Sequence, residues 1–228
     1  MAIRSLRGVA IHIVQDPELL AAGWLSRTAA GHGSVVLSGG STAGKAYEAA
    51  AVLLEDWSDA RVWFGDDRAV PPDDGRSNHL LAEETLFDRV RVRPEVHRIK
   101  GELGAEAAAE LYDEEIAGAR LDLALNGIGA DGHTASLFPN APALEERDRR
   151  AVAAEAQLEP FVERVTLTPH VFATTRLLIY LVTGESKAEA VRRAFLEEPS
   201  PETPASLVRG QETISILDAG AASLLPQG

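Results

Sequence analysis

The feature of this sequence that most constrains its fold is the alternation of short apolar runs with longer, helix-like stretches. Several runs are apolar on successive residues, which is the pattern of strands covered on both faces. Alternating strands and helices predict an α/β fold, a mainly parallel sheet with helices on both faces. The predicted strands are 9–14, 34–38, 61–65, 95–99, 121–125, 176–182 and 212–217, and the predicted helices are about 17–30, 44–56, 77–88, 104–118 and 185–196.

The chain is predicted to form one domain, residues 1–228. Its 228 residues, 45% of them hydrophobic, are enough for a single large core. No repeat or linker divides it, and the Pro-rich segment 199–204 is too short to do so. The first residues lack the apolar core of a signal peptide, and no run approaches the length of a membrane span. We therefore expect a cytoplasmic protein with no membrane partner.

The charge of the chain limits its partners. A formal net charge of −13 argues against nucleic acid, whose phosphates would be repelled. It does not exclude an anionic small molecule, because a few basic side chains and helix N-termini can create a local positive site. The absence of cysteine removes disulfides, thiolate metal sites and cysteine nucleophiles, and it agrees with a cytoplasmic location.

Ligands of such sheets bind beyond the carboxyl ends of the strands, and three predicted strand ends lead into polar loops. In the first loop, SGGST, the candidate phosphate ligands are Gly39, Gly40, Ser41 and Thr42. The glycines allow unusual backbone conformations, the hydroxyl residues can cap the next helix, and free N–H groups at its start would suit a phosphate. Residues 39–45 also match the start of a P-loop, but Ala46 replaces the hydroxyl residue that binds Mg²⁺, which argues against nucleotide hydrolysis.

The second loop follows the third predicted strand. Asp66, Asp67 and Arg68 come directly after it, and a guanidinium there can hold a phosphate or a developing oxyanion at any working pH. The carboxylates can orient Arg68 or bind sugar hydroxyls, although an isolated run of this kind is more often a solvated loop with a surface ion pair. Further along this turn-rich segment, Ser77 or Asn78 is placed to cap the next helix.

The third loop, NGIGADGHTASLFP (126–139), contains the strongest catalytic candidate. His133 has an ordinary pKa of about 6.5, which suits a general base near neutrality. The glycines before it allow a substrate to approach the backbone, and Asp131 can fix the tautomer of the imidazole. We expect no metal and no cofactor, because HxH and HExxH spacings are missing among the other histidines, 12, 32, 79, 97 and 170.

These three segments together resemble the 6-phosphogluconolactonase family, which has a GGSTP-like loop, a DER-x-VP-like segment followed by SN, and a G-x-G-x-DGHTASLFP segment. The resemblance spans about residues 35–217 and extends to RVTLT (164–168) and VTGESKAEAV (182–191). It implies a three-layer α/β fold, of the type shared by glucosamine-6-phosphate deaminase and ribose-5-phosphate isomerase. It also makes Arg164 and Lys187 candidate phosphate ligands.

The reaction that this resemblance implies is hydrolysis of 6-phospho-D-glucono-1,5-lactone to 6-phosphogluconate in the oxidative pentose phosphate pathway. His133 would act as the general base that activates water, with Asp131 beside it. The oxyanion would be held by Arg68, by the N–H groups of the turn at 39–42, or by both. The expected partner is this sugar-phosphate lactone, bound by a monomer or a small homo-oligomer.

The sequence departs from the family pattern at three places. Ala43 and Gly44 stand where Pro and a larger residue are usual, Asp67 replaces Glu, and Ala130 replaces a frequent Pro. None of these changes removes a candidate catalytic group, so they affect the details of the loops more than the expected reaction.

Two other functions are kept open. A glucosamine-6-phosphate deaminase or another sugar-phosphate isomerase would share the fold, but that deaminase family has Tyr at the position of Arg68 and IAFNEP in place of TASLFP (134–139). A sugar-phosphate sensor of a transcriptional regulator would need a DNA-binding segment, and this acidic chain offers neither spare length nor a basic helix. A sensor would also have no reason to keep His133.

Overall fold

The computed structural model describes residues 2–226, which form eleven strands and six α-helices. The strands are β1 (Ala2–Leu6), β2 (Val9–Ile13), β3 (Ser34–Leu37), β4 (Arg61–Phe64), β5 (Asp66–Arg68), β6 (Glu95–Val96), β7 (Leu123–Asn126), β8 (Ala151–Ala154), β9 (Arg164–Leu167), β10 (Leu177–Val182) and β11 (Glu212–Leu217). The helices are α1 (Pro17–Ala30), α2 (Ser41–Leu53), α3 (Asn78–Ala82), α4 (Ala105–Glu115), α5 (Pro169–Thr174) and α6 (Ala188–Leu196).

The central sheet has eight strands in the order β1-β2-β11-β10-β7-β3-β4-β6. All neighbours are parallel except β1 and β2, which pair antiparallel. In the middle of the sheet, Ile179 of β10 lies opposite Ile214 on one side and Leu125 on the other. Because β10, β7, β3 and β4 run in the same direction side by side, the loops that follow them meet at one edge.

The burial of these elements explains why the sequence folds this way. Every residue of β3, β7 and β10 is buried, as expected where layers cover both faces of a sheet. Helix α4 buries a stripe with helical spacing, made of Ala105, Ala108, Ala109 and Tyr112. The predicted three-layer, mainly parallel α/β fold is confirmed.

A second, three-stranded antiparallel sheet in the order β5-β9-β8 was not predicted. Its register places Asp66 opposite Thr166 and Arg68 opposite Arg164. The segment Asp66–Arg68 is therefore a strand, not the solvated loop that an isolated run of this kind suggests. Three polar residues show no alternation of apolar and polar side chains that would indicate a strand. They form a strand only because β9, which lies far along the chain, pairs with them.

Several predicted boundaries were wrong. Helix α2 begins at Ser41, three residues early, so Ser41 and Thr42 lie inside its first turn and Gly40 occupies the N-cap position with φ of 103°. The continuous helix predicted over 77–88 is a short α3 followed by a π-helical turn at Glu83–Phe87. Ser77 caps α3, and its hydroxyl accepts from the N–H groups of His79 and Leu80.

Two buried tyrosines fasten strand ends to helices. The Tyr47 hydroxyl on α2 donates to the carbonyl of Ser38 at 2.7 Å and accepts from the Ser38 N–H at 2.8 Å. The Tyr112 hydroxyl on α4 makes the same pair of bonds with Phe64, at 3.0 and 2.8 Å. Both backbone groups of a residue at the end of a parallel strand are thereby satisfied from the helix layer.

Among residues 2–226, no helix combines the length and the apolarity needed to cross a lipid bilayer.

Candidate active site

The loops after β3, β4, β7 and β10 surround a cavity of about 270 Å³ at the carboxyl edge of the central sheet. Nine of the ten predicted site residues line it: Gly39, Gly40, Ser41, Thr42, Asp66, Arg68, His133, Arg164 and Lys187. The tenth, Asp131, does not line the cavity and contacts the ring of His133 instead. The structure thus brings together segments that lie far apart in the sequence.

His133 is held by Asp131 in one orientation. The imidazole Nδ1 lies 2.6 Å from Asp131 Oδ1, and the same oxygen accepts the His133 N–H at 3.2 Å. Burial raises the pKa of Asp131, but hydrogen bonds and charge from His133 outweigh burial, and the pKa lies below its ordinary value. An ionised Asp131 keeps the proton of a neutral imidazole on Nδ1, which leaves the Nε2 lone pair free to accept a proton.

Two glycines of this loop are required by its shape. A Cβ at Gly129 would lie 2.0 Å from His133 Nδ1 and 2.5 Å from Asp131 Oδ1, so any side chain would separate the pair. Gly132 has φ of 98°, a conformation that other residues rarely adopt. The Gly129 N–H closes the loop by donating to the His133 carbonyl at 2.8 Å.

Arg68 and Arg164 form a pair of cations without an anionic partner. They are opposite each other on β5 and β9, and within residues 2–226 neither lies within salt-bridge distance of a carboxylate. Arg68 donates to the Asn78 amide oxygen at 2.9 Å and to the carbonyl of Arg76. Burial and then the charge of Arg68 lower the pKa of Arg164, and the charges of Asp66 and Asp67 offset part of this effect. Two adjacent, partly desolvated guanidinium groups are costly, and an anionic ligand would offset that cost.

The two aspartates of β5 have different surroundings. Asp66 lines the cavity and accepts a 2.6 Å hydrogen bond from the buried Ser136 hydroxyl. Asp67 points away from the cavity and accepts from four donors: the N–H groups of Arg68, Asn78 and His79 and the hydroxyl of Ser77. Burial raises the pKa of Asp67 to about 6, even though these N–H bonds lower it. Of the two, only Asp66 is placed to contact a ligand in the cavity.

The SGGST loop presents a helix N-terminus to the cavity. The first N–H groups of α2 have no carbonyl partner within the helix, which suits an anion. The Thr42 hydroxyl lies 2.9 Å from that of Thr183, at the end of β10, and Lys187 follows in a 3₁₀ turn, Glu185–Lys187. Lys45, the lysine of the P-loop match, is exposed and outside the cavity lining.

Four residues with polar side chains line the cavity but were not among the predicted site residues: Ser38, Asn78, Asn126 and Thr183. Asn78 was predicted only as a possible helix cap. Ser38, Asn126 and Thr183 stand at or next to the last residue of a strand, and the rule that ligands bind beyond strand ends would have found them. Within the part of the chain that the structure describes, no group of three or more His, Asp or Glu side chains is arranged to hold a metal.

The chain belongs to the family of glucosamine-6-phosphate isomerases and 6-phosphogluconolactonases, whose sequence profile matches residues 19–216. The 6-phosphogluconolactonase of Streptomyces coelicolor is 34% identical over 86% of this chain and 84% of its own length. The crystal structure of 6-phosphogluconolactonase from Thermotoga maritima is 30% identical and superimposes with a TM-score of 0.80 over 91% of this chain and 98% of that one.

A monomeric glucosamine-6-phosphate deaminase superimposes with a TM-score of 0.83 over 95% of this chain and 99% of its own, at 20% identity. This is a likeness of fold alone. The sequence resemblance implied that the lactonase and the deaminase share one fold, and these superpositions confirm it.

Proposed function

We propose that this chain hydrolyses 6-phospho-D-glucono-1,5-lactone to 6-phospho-D-gluconate, the lactonase step of the oxidative pentose phosphate pathway. One observation carries the proposal. His133, with Nδ1 already bonded to Asp131, lines the same cavity as Arg68 and Arg164, which have no carboxylate partner. Lactone hydrolysis needs a base for water and a hydrogen-bond donor for the oxyanion, and this cavity offers both. The absence of cysteine supports a cytoplasmic location.

In this mechanism the neutral His133 takes a proton from water through Nε2 while the water oxygen attacks C1 of the lactone. The carbonyl oxygen becomes an oxyanion in the tetrahedral intermediate. The bond between C1 and the ring oxygen then breaks, and the imidazolium returns its proton to that oxygen, so one group acts as base and then as acid. Asp131 stabilises the imidazolium without being protonated itself, in agreement with its lowered pKa.

Two donors are candidates for the oxyanion, Arg68 and the N–H groups at the start of α2, and Arg68 is the better supported of the two. Its guanidinium is held by neutral acceptors, the Asn78 amide oxygen and a backbone carbonyl, so its charge is not neutralised. The N–H groups at the start of α2 are then available for the phosphate. Such an arrangement keeps the two negative groups of the substrate on different donors.

The phosphate end of the proposed site is formed by Ser41, Thr42 and Lys187. The Thr42 hydroxyl contacts that of Thr183, and Thr42, Thr183 and Lys187 all line the cavity. A phosphate bound there would fix the distal end of the sugar and help to position C1 against the water. Lys187 contributes charge to this end, where within residues 2–226 no carboxylate lies within salt-bridge distance of it.

Deaminase or isomerase activity is the second candidate. The fold permits it, but Arg68 occupies the position of a tyrosine in that deaminase family, and TASLFP (134–139) replaces IAFNEP. A sensor without catalytic activity would not require the bonded pair of Asp131 and His133.

The test is a lactonase assay with purified protein, coupled to oxidation of the product by 6-phosphogluconate dehydrogenase. The lactone also opens unaided, so the assay must be fast and near neutral pH, with a blank lacking the protein. We expect hydrolysis of the phosphorylated lactone well above the blank and much slower hydrolysis of unphosphorylated gluconolactone. Ammonia released from glucosamine 6-phosphate, with no lactonase activity, would refute the proposal.

A further inference from the structure

Asn78 contacts two separate segments of the site, strand β5 and the SGGST loop. Its amide oxygen accepts from Arg68 at 2.9 Å, and its amide nitrogen donates to the carbonyl of Asp66 at 2.8 Å and to Asp66 Oδ1 at 3.3 Å. On the other side it packs against the SGGST loop so closely that a Cβ at Gly39 would lie 2.0 Å from the amide oxygen. The residue is 2% exposed.

Asn78 is itself held from beneath by Asp67. The Asn78 N–H donates to Asp67 Oδ1 at 2.6 Å, and the neighbouring N–H of His79 and hydroxyl of Ser77 donate to Oδ2, both at 3.1 Å. The start of α3 is therefore fixed to the same strand, β5, that carries Asp66 and Arg68. This double attachment leaves the Asn78 amide little freedom to turn.

We infer that Asn78 is a positioning residue of the hydrolytic site. It sets the guanidinium of Arg68 and the carboxylate of Asp66 at a fixed distance from the SGGST loop, so that the oxyanion donor and the phosphate loop keep their spacing. The inference rests on the proposed lactonase function. It adds to that function a residue that does not itself need to touch the reacting atoms.

The chemistry of the position requires an amide. The side chain must accept from a cation on one side and donate to a carbonyl and a carboxylate on the other, which Asn does with one planar group. A carboxylate at this position would keep the acceptor for Arg68 but would face Asp66 with like charge. An apolar residue would leave Arg68 and Asp66 each without one buried partner.

Two variants separate positioning from folding. Asn78→Ala removes both contacts and should lower kcat/KM about 10- to 100-fold, the effect of losing a hydrogen bond to a charged group. Asn78→Asp keeps the shape and should be similarly impaired at pH 8. The matched control is Asn140→Asp, the same isosteric change at an exposed residue outside the cavity lining, which should behave as wild type.

The pH profile of kcat/KM is the measurement that a purely structural role of Asn78 would not alter. The groups facing position 78 are Asp66 and Arg68 from β5, with Asp67 beneath, and Arg164 lies across from Arg68 on β9. When the new carboxyl group of Asn78→Asp is protonated, its O–H can donate to Asp66 and its C=O can accept from Arg68, as the amide does. The ratio of variant to wild-type kcat/KM should therefore rise between pH 8 and pH 5.5, whereas the ratio for Asn78→Ala stays flat.

A calorimetric measurement of 6-phosphogluconate binding keeps this inference separate from the proposed function. We expect the affinity of Asn78→Ala to fall about 10-fold, with thermal unfolding used to confirm that each variant is folded at the assay temperature. If the wild type binds the product but hydrolyses no lactone, the proposed function is wrong and Asn78 is judged by binding alone. The inference would be overturned if both Asn78 variants had the kcat/KM and the affinity of the wild type. It would also be overturned if the ratio of Asn78→Asp to wild-type kcat/KM did not change with pH.

Discussion

The two ends of the central sheet differ in how their charges are paired. At the amino ends of the strands lies a cavity of about 800 Å³, larger than the one of about 270 Å³ at the carboxyl ends. In the larger cavity Arg61 pairs with Glu95 at 3.2 Å, while Arg120 and Arg176 share Asp122 at 3.2 and 3.7 Å. Within residues 2–226, three of the four arginines that line it are thus paired with carboxylates and Arg27 is not, whereas at the other end neither Arg68 nor Arg164 is paired.

Each end also contains a histidine bonded through Nδ1 to a carboxylate. The distance is 2.6 Å for His133 with Asp131 and 2.7 Å for His97 with Glu115. His97, however, stacks on the indole of Trp63 with ring centroids 3.9 Å apart, so its ring serves packing. A large cavity and a histidine–carboxylate pair are therefore not enough to locate a site in this fold, and the two ends differ in how many of their arginines are paired with carboxylates.

The largest expected effect tests this distinction directly. Replacing His133→Ala should lower kcat for lactone hydrolysis about 10²- to 10⁴-fold, because the proposed general base is lost. The matched change at the other end, His97→Ala, should leave kcat close to wild type even though the Nδ1 of His97 lies almost as close to a carboxylate. Steady-state kinetics of both variants decide the matter, and equal losses in the two would remove the contrast between the ends.

The next effect concerns the uncompensated lysine. Lys187→Ala should raise KM about 10- to 100-fold and change kcat less, because a charged contact to the substrate phosphate is removed. Inorganic phosphate should also become a weaker competitive inhibitor. Lys45→Ala is the control, since Lys45 is exposed on α2 outside the cavity lining. A rise in KM for Lys45→Ala but not for Lys187→Ala would place the phosphate elsewhere.

A third, smaller effect is expected in stability. Gly39→Ala introduces a Cβ 2.0 Å from the Asn78 amide oxygen, and this overlap should lower the free energy of unfolding by about 1–3 kcal/mol as well as impair activity. Gly75→Ala, in the neighbouring loop with nothing within 4 Å of the new atom, should cost little. Urea unfolding of both variants measures the difference, and equal values would mean that the loop can shift away from Asn78.

The smallest expected effect is a pH dependence of stability caused by Asp67, a buried carboxylate without a cationic partner among residues 2–226. Its pKa is raised by burial to about 6 in the folded protein, so the folded state holds its proton more tightly than the unfolded chain. Ionisation of Asp67 therefore costs stability as the pH rises towards 6 and beyond. The stability of wild type relative to Asp67→Asn should increase by about 1 kcal/mol on going from pH 7 to pH 5.

Denaturant unfolding at several pH values measures this trend. Asp73→Asn, at an exposed aspartate of the loop that follows β5, provides the control and should show no such change relative to wild type. If the stability of wild type relative to Asp67→Asn instead fell towards pH 5, the N–H donors around Asp67 would lower its pKa by more than burial raises it.

Much of the fold was predictable because local pattern and tertiary structure agree. Strands such as β10 are apolar along their whole length, and a parallel sheet buries them on both faces. The strand-end rule then located the cavity, since Thr42 and His133 follow different strands of the same sheet. Their catalytic and binding roles stay predictions.

The remainder was not predictable because it depends on contacts between distant segments. Asp66–Arg68 becomes a strand through pairing with Arg164–Leu167, and no property of three polar residues indicates this partner. The same pairing brings Arg68 and Arg164 together. Likewise, Ser77 and Asn78 form a good capping sequence, but only the folded chain places the Asn78 amide between Arg68 and the SGGST loop.

The bonds of Tyr47 and Tyr112 to strand ends have a consequence for engineering the molecule. Ser38 and Phe64, which precede the SGGST loop and strand β5, are anchored by hydroxyl groups on helices α2 and α4. Ser41 and Thr42 line the cavity and can be varied with little loss of this anchorage, because it does not pass through their side chains. Libraries aimed at other substrates should vary these two positions, keep glycine at position 39 and leave the two phenols untouched.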